Sequence, residues 1–280
     1  LLATHHANET DLDDIFIYIG NNPSLKVQAF YRRVITENKT DDVLGKTRYR
    51  LGVYLVRQME IARKVIANPE AREKYDLFYG QELTRHLLAL DPDQCRAEAL
   101  KQFSVITEKY PKIKTYHGVL GKLATREEYK LAHLSVGGTA AEIKGEDIGG
   151  KPMQLSDFRG KVVLLDFWGD WCVACRTLYS FNRSLHEKMQ GRPFELIGVN
   201  SDSNRELIKR IIKTQQITWR SFWNEGSRHG KFSTQWEVKS WPVLYVIDGK
   251  GVIRLKSVGG HNQKEIYELI DKLTTEIENQ

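Results

Sequence analysis

The residues best equipped for chemistry are two cysteines three positions apart, Cys172 and Cys175, in the run Asp166-Phe167-Trp168-Gly169-Asp170-Trp171-Cys172-Val173-Ala174-Cys175. On the first turn of a helix, positions i and i+3 share a face and lie within bridging range of a disulfide. The leading thiol would stand at the helix N-terminus, where unpaired amides and the helix dipole favour the thiolate. That makes Cys172 the nucleophile and Cys175, one turn deeper, the resolving thiol. Cys172 would attack a partner disulfide to form a mixed disulfide, which Cys175 then displaces. The third cysteine, Cys95, lies far upstream on a helical stretch and reads as a small packing residue. Structural zinc needs four ligands, usually as two Cys or His pairs. No second pair accompanies this one, and His5-His6 and His186 read as isolated surface residues. No metal and no cofactor is expected beyond a redox-active Cys172–Cys175 disulfide.

Such a pair must be carried by a strand that ends in front of it and a helix that starts on it. Lys161 to Phe167 is a continuous apolar run, as a strand buried on both faces requires. A helix is expected from Cys172 to about Met189, and a second apolar strand from Phe194 to Val199. Arg205 to Thr214 reads as a helix with Leu207, Ile208, Ile211 and Ile212 inward. Val243–Ile247 and Val252–Leu255 flank Asp248-Gly249-Lys250-Gly251, the turn chemistry of a β-hairpin. Glu265 to Ile277 closes as an amphipathic helix. Strands alternating with helices imply an α/β sheet covered on both faces.

The preceding half has a different grammar. All six tryptophans (Trp168, Trp171, Trp219, Trp223, Trp236 and Trp241) fall in the second half, and the sequence divides into an all-helical domain, 1–133, and an α/β domain, 134–280. Asn22-Pro23-Ser24 is a helix start, followed by Leu25, Ala29, Phe30 and Val34 at helical spacing. Leu44, Leu51, Leu55, Met59, Ala62 and Ile66 continue that period, and Pro69 stands where another helix should begin. Asp91-Pro92-Asp93-Gln94 combines an N-cap with proline at the first position. Thr125 and Glu128 form a capping box before a short final helix.

Composition sets the outer bounds. With 280 residues, 41% hydrophobic and 28% charged, the chain is of ordinary globular composition, which excludes collagenous or wholly disordered classes. No apolar run approaches the roughly 18 residues that a membrane span needs. The net charge of +6 is spread evenly: residues 1–133 and 134–280 each carry 21 Lys+Arg against 18 Asp+Glu. Without a local basic cluster to neutralise several phosphates, no nucleic-acid partner is expected. The chain begins with Leu1 rather than Met, so a targeting signal or membrane anchor, if any, would lie upstream.

Residues 135–280 resemble the thioredoxin fold, a central mixed sheet with helices on both faces, and within it the TlpA/ResA branch of bacterial thiol-disulfide oxidoreductases, related to AhpC/TSA proteins. The similarity rests on the cysteine motif and its flanking strand. Gly150-Lys151-Pro152-Met153-Gln154-Leu155-Ser156-Asp157-Phe158-Arg159-Gly160-Lys161 is similar to the branch's leading hairpin, and Gly198-Val199-Asn200-Ser201-Asp202 to its next strand and turn. Val238-Lys239-Ser240-Trp241-Pro242 stands where the family carries its cis-proline. The resemblance implies a protein disulfide oxidoreductase with a redox-active centre.

It also implies individual roles. Asp166 matches the buried aspartate of thioredoxins, where the branch more often has asparagine. Desolvation would raise its pKa and let it take the Cys175 proton; capping the strand end is the other role open to it. Pro242 would hold the loop facing the disulfide, against which an extended substrate segment pairs. Trp171 and Trp241 would form an apolar rim for substrate, or serve as packing. Neither Val173 nor Ala174 is the proline that the family places second between its cysteines, so the redox potential, spanning about −270 to −120 mV in this fold, should be displaced. Partners would be protein thiols and disulfides with an upstream reductant, in a bacterial periplasm or cell envelope; a cytoplasmic location is the alternative. Two other functions are a peroxiredoxin-like peroxidase and a client-binding module with the helical domain as recruiter. Gly169, three residues before Cys172, is not the Thr or Ser that a peroxidatic cysteine carries there. Ala97 to Pro111 resembles the second helix of a tetratricopeptide repeat, with no second copy at the 34-residue period; its Phe103 and Tyr110 would form a docking surface or a helical core.

Overall fold

The computed structural model describes residues 6–20, 22–67 and 72–280, so His5 and the helix start at Pro69 lie outside it. The chain divides into two compact units, Leu1–Leu131 and Ala132–Gln280.

The first unit comprises helices α1 (Asp13–Ile19), α2 (Leu25–Glu37), α3 (Asp41–Ala67), α4 (Arg72–Tyr79), α5 (Gln81–Ala89) and α6 (Pro92–Lys109), a hairpin of β1 (Lys114–Thr115) and β2 (Gly118–Val119), and α7 (Leu120–His133). Asp91 caps α6 through Oδ1, which accepts from the Asp93 and Gln94 amides at 2.8 and 3.2 Å. α6 lies along the long α3, and the Phe103 ring packs on Gly52, where a Cβ would come within 2.6 Å of it. Ala99, Phe103 and Ile106 are fully buried, so the tetratricopeptide-like positions of this helix serve the unit's own core. The β1–β2 hairpin is a short strand pair within a unit that reads as all-helical. α7 also starts earlier than its Thr125 capping box, which lies inside it. The hairpin supplies the cap: Leu120 N–H donates to Ile113 O at 2.8 Å and Gly121 N–H to Pro111 O at 3.2 Å, satisfying amides that a side chain would otherwise serve.

The second unit opens with an antiparallel hairpin of β3 (Lys144–Glu146) and β4 (Pro152–Gln154). β5 (Val162–Trp168), α8 (Val173–Thr177), α9 (Tyr179–Lys188), β6 (Phe194–Asn200), α10 (Arg205–Thr214), β7 (Ser221–Trp223), α11 (Lys231–Gln235), β8 (Val243–Ile247), β9 (Ile253–Val258) and α12 (Gln263–Glu278) follow. The sheet order is β7-β6-β5-β8-β9; β5, β6 and β7 run parallel, and β8 is antiparallel to both β5 and β9. This is the mixed sheet of a thioredoxin-like fold. Its centre is β5, and strand alternation divides β5 between two cores. Val162, Leu164 and Trp168 join Leu178, Tyr179, Leu185 and Ile270, whereas Val163, Leu165 and Phe167 join Phe232, Trp236 and Tyr245. Burial on both faces explains why the strand reads as an unbroken apolar run. No described helix is long and apolar enough to cross a membrane.

Two expectations for this unit need correction. The helix after Cys172 is not continuous to Met189. It breaks at Leu178, where Leu178 N–H bonds Cys175 O at 3.0 Å and Thr177 Oγ1 bonds Ala174 O at 2.7 Å, three-residue bonds that close the turn tightly. On α10, Ile208 is buried but Leu207 is 47% exposed, because consecutive helix positions point about a quarter-turn or more apart. β7 and α11 are too short to carry a periodic signal.

Gly198 stands opposite Asp166 in the β5–β6 register. A Cβ there would collide with Ser221 Oγ and come 2.5 Å from Trp168 Nε1, a pair joined by a 3.2 Å hydrogen bond. Gly198→Ala is therefore expected to lower the unit's stability by about 1–3 kcal/mol, read as a reduced midpoint in denaturant unfolding. An unchanged midpoint would contradict this packing.

Candidate active site

The site forms where β5 ends and α8 begins. Cys172 is the N-cap of α8, and its Sγ accepts a hydrogen bond from the Cys175 amide at 3.1 Å. Cys172 and Cys175 are joined as a disulfide with Cα atoms 5.2 Å apart. Both cysteines are buried, Cys172 at 7% exposed and Cys175 at 2%. With α8 only five residues long, the dipole acting on Cys172 is that of little more than one turn. The directed amide is a second, local source of stabilisation for negative charge on that sulfur.

The flanking loop is pinned to the end of β6. Ser201 N–H donates to Trp168 O at 2.9 Å. Asp202 Oδ2 accepts from the Asp170 amide at 2.9 Å and from Asn200 Nδ2 at 2.7 Å. Asp170 Oδ1 in turn accepts from the Tyr179 hydroxyl at 3.1 Å. Burial, with the Asp170 carboxylate beside it, pushes the Tyr179 pKa up, so Tyr179 stays a donor.

Trp171 is 40% exposed, its Nε1 donating to Ser201 O at 3.3 Å. Its ring meets Trp241 edge-on, with centroids 5.5 Å apart and planes at 67°. Trp241 packs against the core cluster that contains both cysteines. The Trp241–Pro242 peptide is cis, and Pro242 O accepts from Gly259 N–H at 2.9 Å. The two tryptophans thus meet beside the disulfide, one of them leading into the cis-proline loop.

Asp166 lies on the β5 face shared with Val162, Leu164 and Trp168, the face of the core that holds Cys172 and Cys175. It is 3% exposed. Oδ2 accepts from Asn182 Nδ2 of α9 at 2.9 Å, and Oδ1 has no partner among the described residues. Burial pushes the carboxyl up to about 7, against the lowering effect of the Asn182 bond. A buried carboxyl with one uncommitted oxygen and a pKa near neutrality can exchange a proton.

Sequence reading did not single out Asn182, Tyr179, Asp170, Asp202 or Arg228. Asn182 had one legible signal, as a polar residue on the otherwise apolar face of α9. The others gain meaning only from the packing of separate loops. Cys95 lies in the first unit, its Sγ donating to Leu55 O at 3.1 Å and its pKa raised by burial to about 11; it is a packing residue. His186 pairs with Thr218 Oγ1 at 2.7 Å.

Fold and site together define a class, thioredoxin-like domains with a vicinal pair of cysteines. Residues 136–256 match the AhpC/TSA family, and the C-terminal half of the chain carries a domain of that family. The thiol-disulfide oxidoreductase ResA of Bacillus thuringiensis subsp. konkukian (strain 97-27) is 26% identical over 150 residues, covering 54% of this chain and 83% of that protein. The thioredoxin-like protein YneN of Bacillus subtilis (strain 168) is 25% identical over 138 residues, 48% of this chain and 78% of that protein. Among solved structures, the thioredoxin domain of a thiol-disulfide oxidoreductase from Bacteroides vulgatus aligns with a TM-score of 0.46 and 26% identity, over 50% of this chain and 99% of that one.

The Asp166 environment has a thermodynamic consequence. A carboxyl raised from 3.8 in the unfolded chain to about 7 in the fold binds more protons when folded between those values. Its stabilising contribution is complete below the lower value and is lost as pH rises through the upper one. In the disulfide form, the stability of the native protein relative to Asp166→Asn is expected to fall by a few kcal/mol between about pH 4 and pH 7 and then level off. Denaturant unfolding across that range checks this; a difference independent of pH would contradict it.

Proposed function

We propose that the C-terminal unit is a thiol-disulfide oxidoreductase that exchanges disulfides with protein substrates through Cys172 and Cys175. The observation that carries the reading is the Cys172–Cys175 disulfide at the end of β5, its Cys172 sulfur held by the Cys175 amide. The ResA relatives, whose names specify this activity, support it.

In the reduced protein, the Cys172 thiolate attacks one sulfur of a substrate disulfide, and the other substrate sulfur leaves as a thiolate. Cys175 then attacks Cys172 within the mixed disulfide. Its proton passes to the Asp166 carboxylate, the second substrate sulfur leaves as a thiolate, and the Cys172–Cys175 disulfide is formed. Two electrons move to the substrate, and an upstream dithiol must return them; run in reverse, the same steps oxidise a substrate. Trp171 and Trp241 form the apolar rim against which the substrate segment lies, and Pro242 sets the backbone with which it pairs. The centre needs no further cofactor. The vicinal resolving thiol favours exchange over peroxide reduction, since Cys175 captures the Cys172 sulfur directly. We place the activity in the bacterial periplasm or cell envelope, a reading that rests on the resemblance to the TlpA/ResA branch, with the first unit, Leu1–Leu131, as a domain for partner recruitment.

Cys175→Ser is expected to accumulate mixed disulfides with cellular proteins through Cys172, whereas Cys172→Ser accumulates none. Non-reducing gels and mass spectrometry of the adducts read both. Absence of adducts in Cys175→Ser, or their formation by Cys172→Ser, would overturn the assignment of nucleophile and resolving thiol.

A further inference from the structure

A cation lies over the ring of Trp171, which remains 40% exposed. The Arg228 guanidinium lies 4.7 Å from the centroid of the Trp171 ring, next in sequence to Cys172. Arg228 is exposed and makes no ion pair among the described residues, while its backbone carbonyl is anchored by the Ser233 hydroxyl at 2.7 Å. Stacking on an indole fixes a guanidinium without consuming its hydrogen-bond donors. Of the other charged residues that flank these loops in sequence, the cations Arg176, one residue past Cys175, and Lys239, two before Trp241, are exposed, and so is one anion, Glu225. Arg176 reaches only the Asp170 carbonyl, at 3.4 Å. Asp170 and Asp202 are partly buried, their carboxylates accepting hydrogen bonds from the loop and from Tyr179. Glu225 accepts from the Lys231 amide. A segment approaching Cys172 across the tryptophan rim therefore meets free donors that are cationic.

We propose that Arg228, held on Trp171, is a specificity-determining residue that selects substrates bearing an acidic side chain beside the reacting cysteine. The inference rests on the exchange activity proposed above. A carboxylate one or two residues from the substrate sulfur would pair with the guanidinium as the segment pairs along the cis-proline loop.

The test uses the reduced full chain and three short peptides whose single cysteine is a mixed disulfide with thionitrobenzoate, flanked by Glu, Gln or Lys. The Cys172 thiolate attacks the peptide sulfur and thionitrobenzoate leaves as its coloured thiolate; Cys175 then releases the peptide thiol. At low salt the Glu peptide is expected to react roughly fivefold faster than the Lys peptide, the Gln peptide lying between, as one exposed ion pair allows. The ratio should fall toward one as salt is raised, collapse in Arg228→Gln and invert in Arg228→Glu. Tuning of the thiol by Arg228 would shift all three rates together and leave their ratio unchanged. Equal rates in the native chain, or a ratio that survives Arg228→Gln, would overturn the inference while leaving the exchange activity standing. Failure of every peptide to react would overturn that activity itself.

Discussion

Everything at this site depends on one donor, the backbone amide of Cys175, being aimed at the sulfur of Cys172 from 3.1 Å. A cysteine sulfur is a poor nucleophile as the thiol and a good one as the thiolate, and a fixed amide favours the charged form. The geometry follows from two elements meeting end to end. β5 is buried on both faces and cannot shift without disturbing two cores, and the loop from Gly169 to Trp171 is tied to the end of β6 through Asp202 and Ser201. Cys172 is thereby delivered to the first turn of α8 in the extended conformation of a helix cap (φ −92°, ψ 108°), with its carbonyl already accepting from Arg176.

The proposed exchange also needs a proton acceptor for the resolving thiol, the role proposed for Asp166. A carboxylate placed in an apolar core is costly unless it is neutralised or hydrogen-bonded. Asp166 receives only partial compensation, a single bond from Asn182, and so its pKa settles near neutrality. Full satisfaction would hold it ionised and lower its basicity, and no compensation would hold it protonated. The intermediate state suits a group that must accept a proton at one step and return it at another.

Much of this was legible in the sequence because the decisive signals are local. The cysteine spacing, the apolar run of β5 and the glycine turn between β8 and β9 each carry their meaning within a few residues, whereas the proline after Trp241 was legible only through the resemblance to the thioredoxin fold. Asp166 was legible through the same resemblance, since it stands where thioredoxins carry a buried aspartate ahead of their cysteines. What escaped was non-local or overruled by neighbours. Asn182 and Arg228 act on residues in other elements, so no window of sequence joins them to the site. The break at Leu178 arises from three-residue hydrogen bonds that the apolar pattern of a continuous helix does not encode. At Thr125, a sound capping signal lost to the β1–β2 hairpin, which had already satisfied the first amides of α7. Leu207 is exposed although Ile208 beside it is buried, since apolar identity alone does not say which neighbour faces the sheet.

The most direct test of the account is the ionisation of Cys172 itself. Alkylation of reduced Cys175→Ser by iodoacetamide, followed as a function of pH, reads the thiolate fraction at position 172 while leaving the backbone amide of residue 175 in place. A midpoint at least about one unit below the ordinary thiol value of about 8.5 is expected. A midpoint at or above that value would mean that the amide does not stabilise the thiolate, and the account of Cys172 as the activated nucleophile would fail.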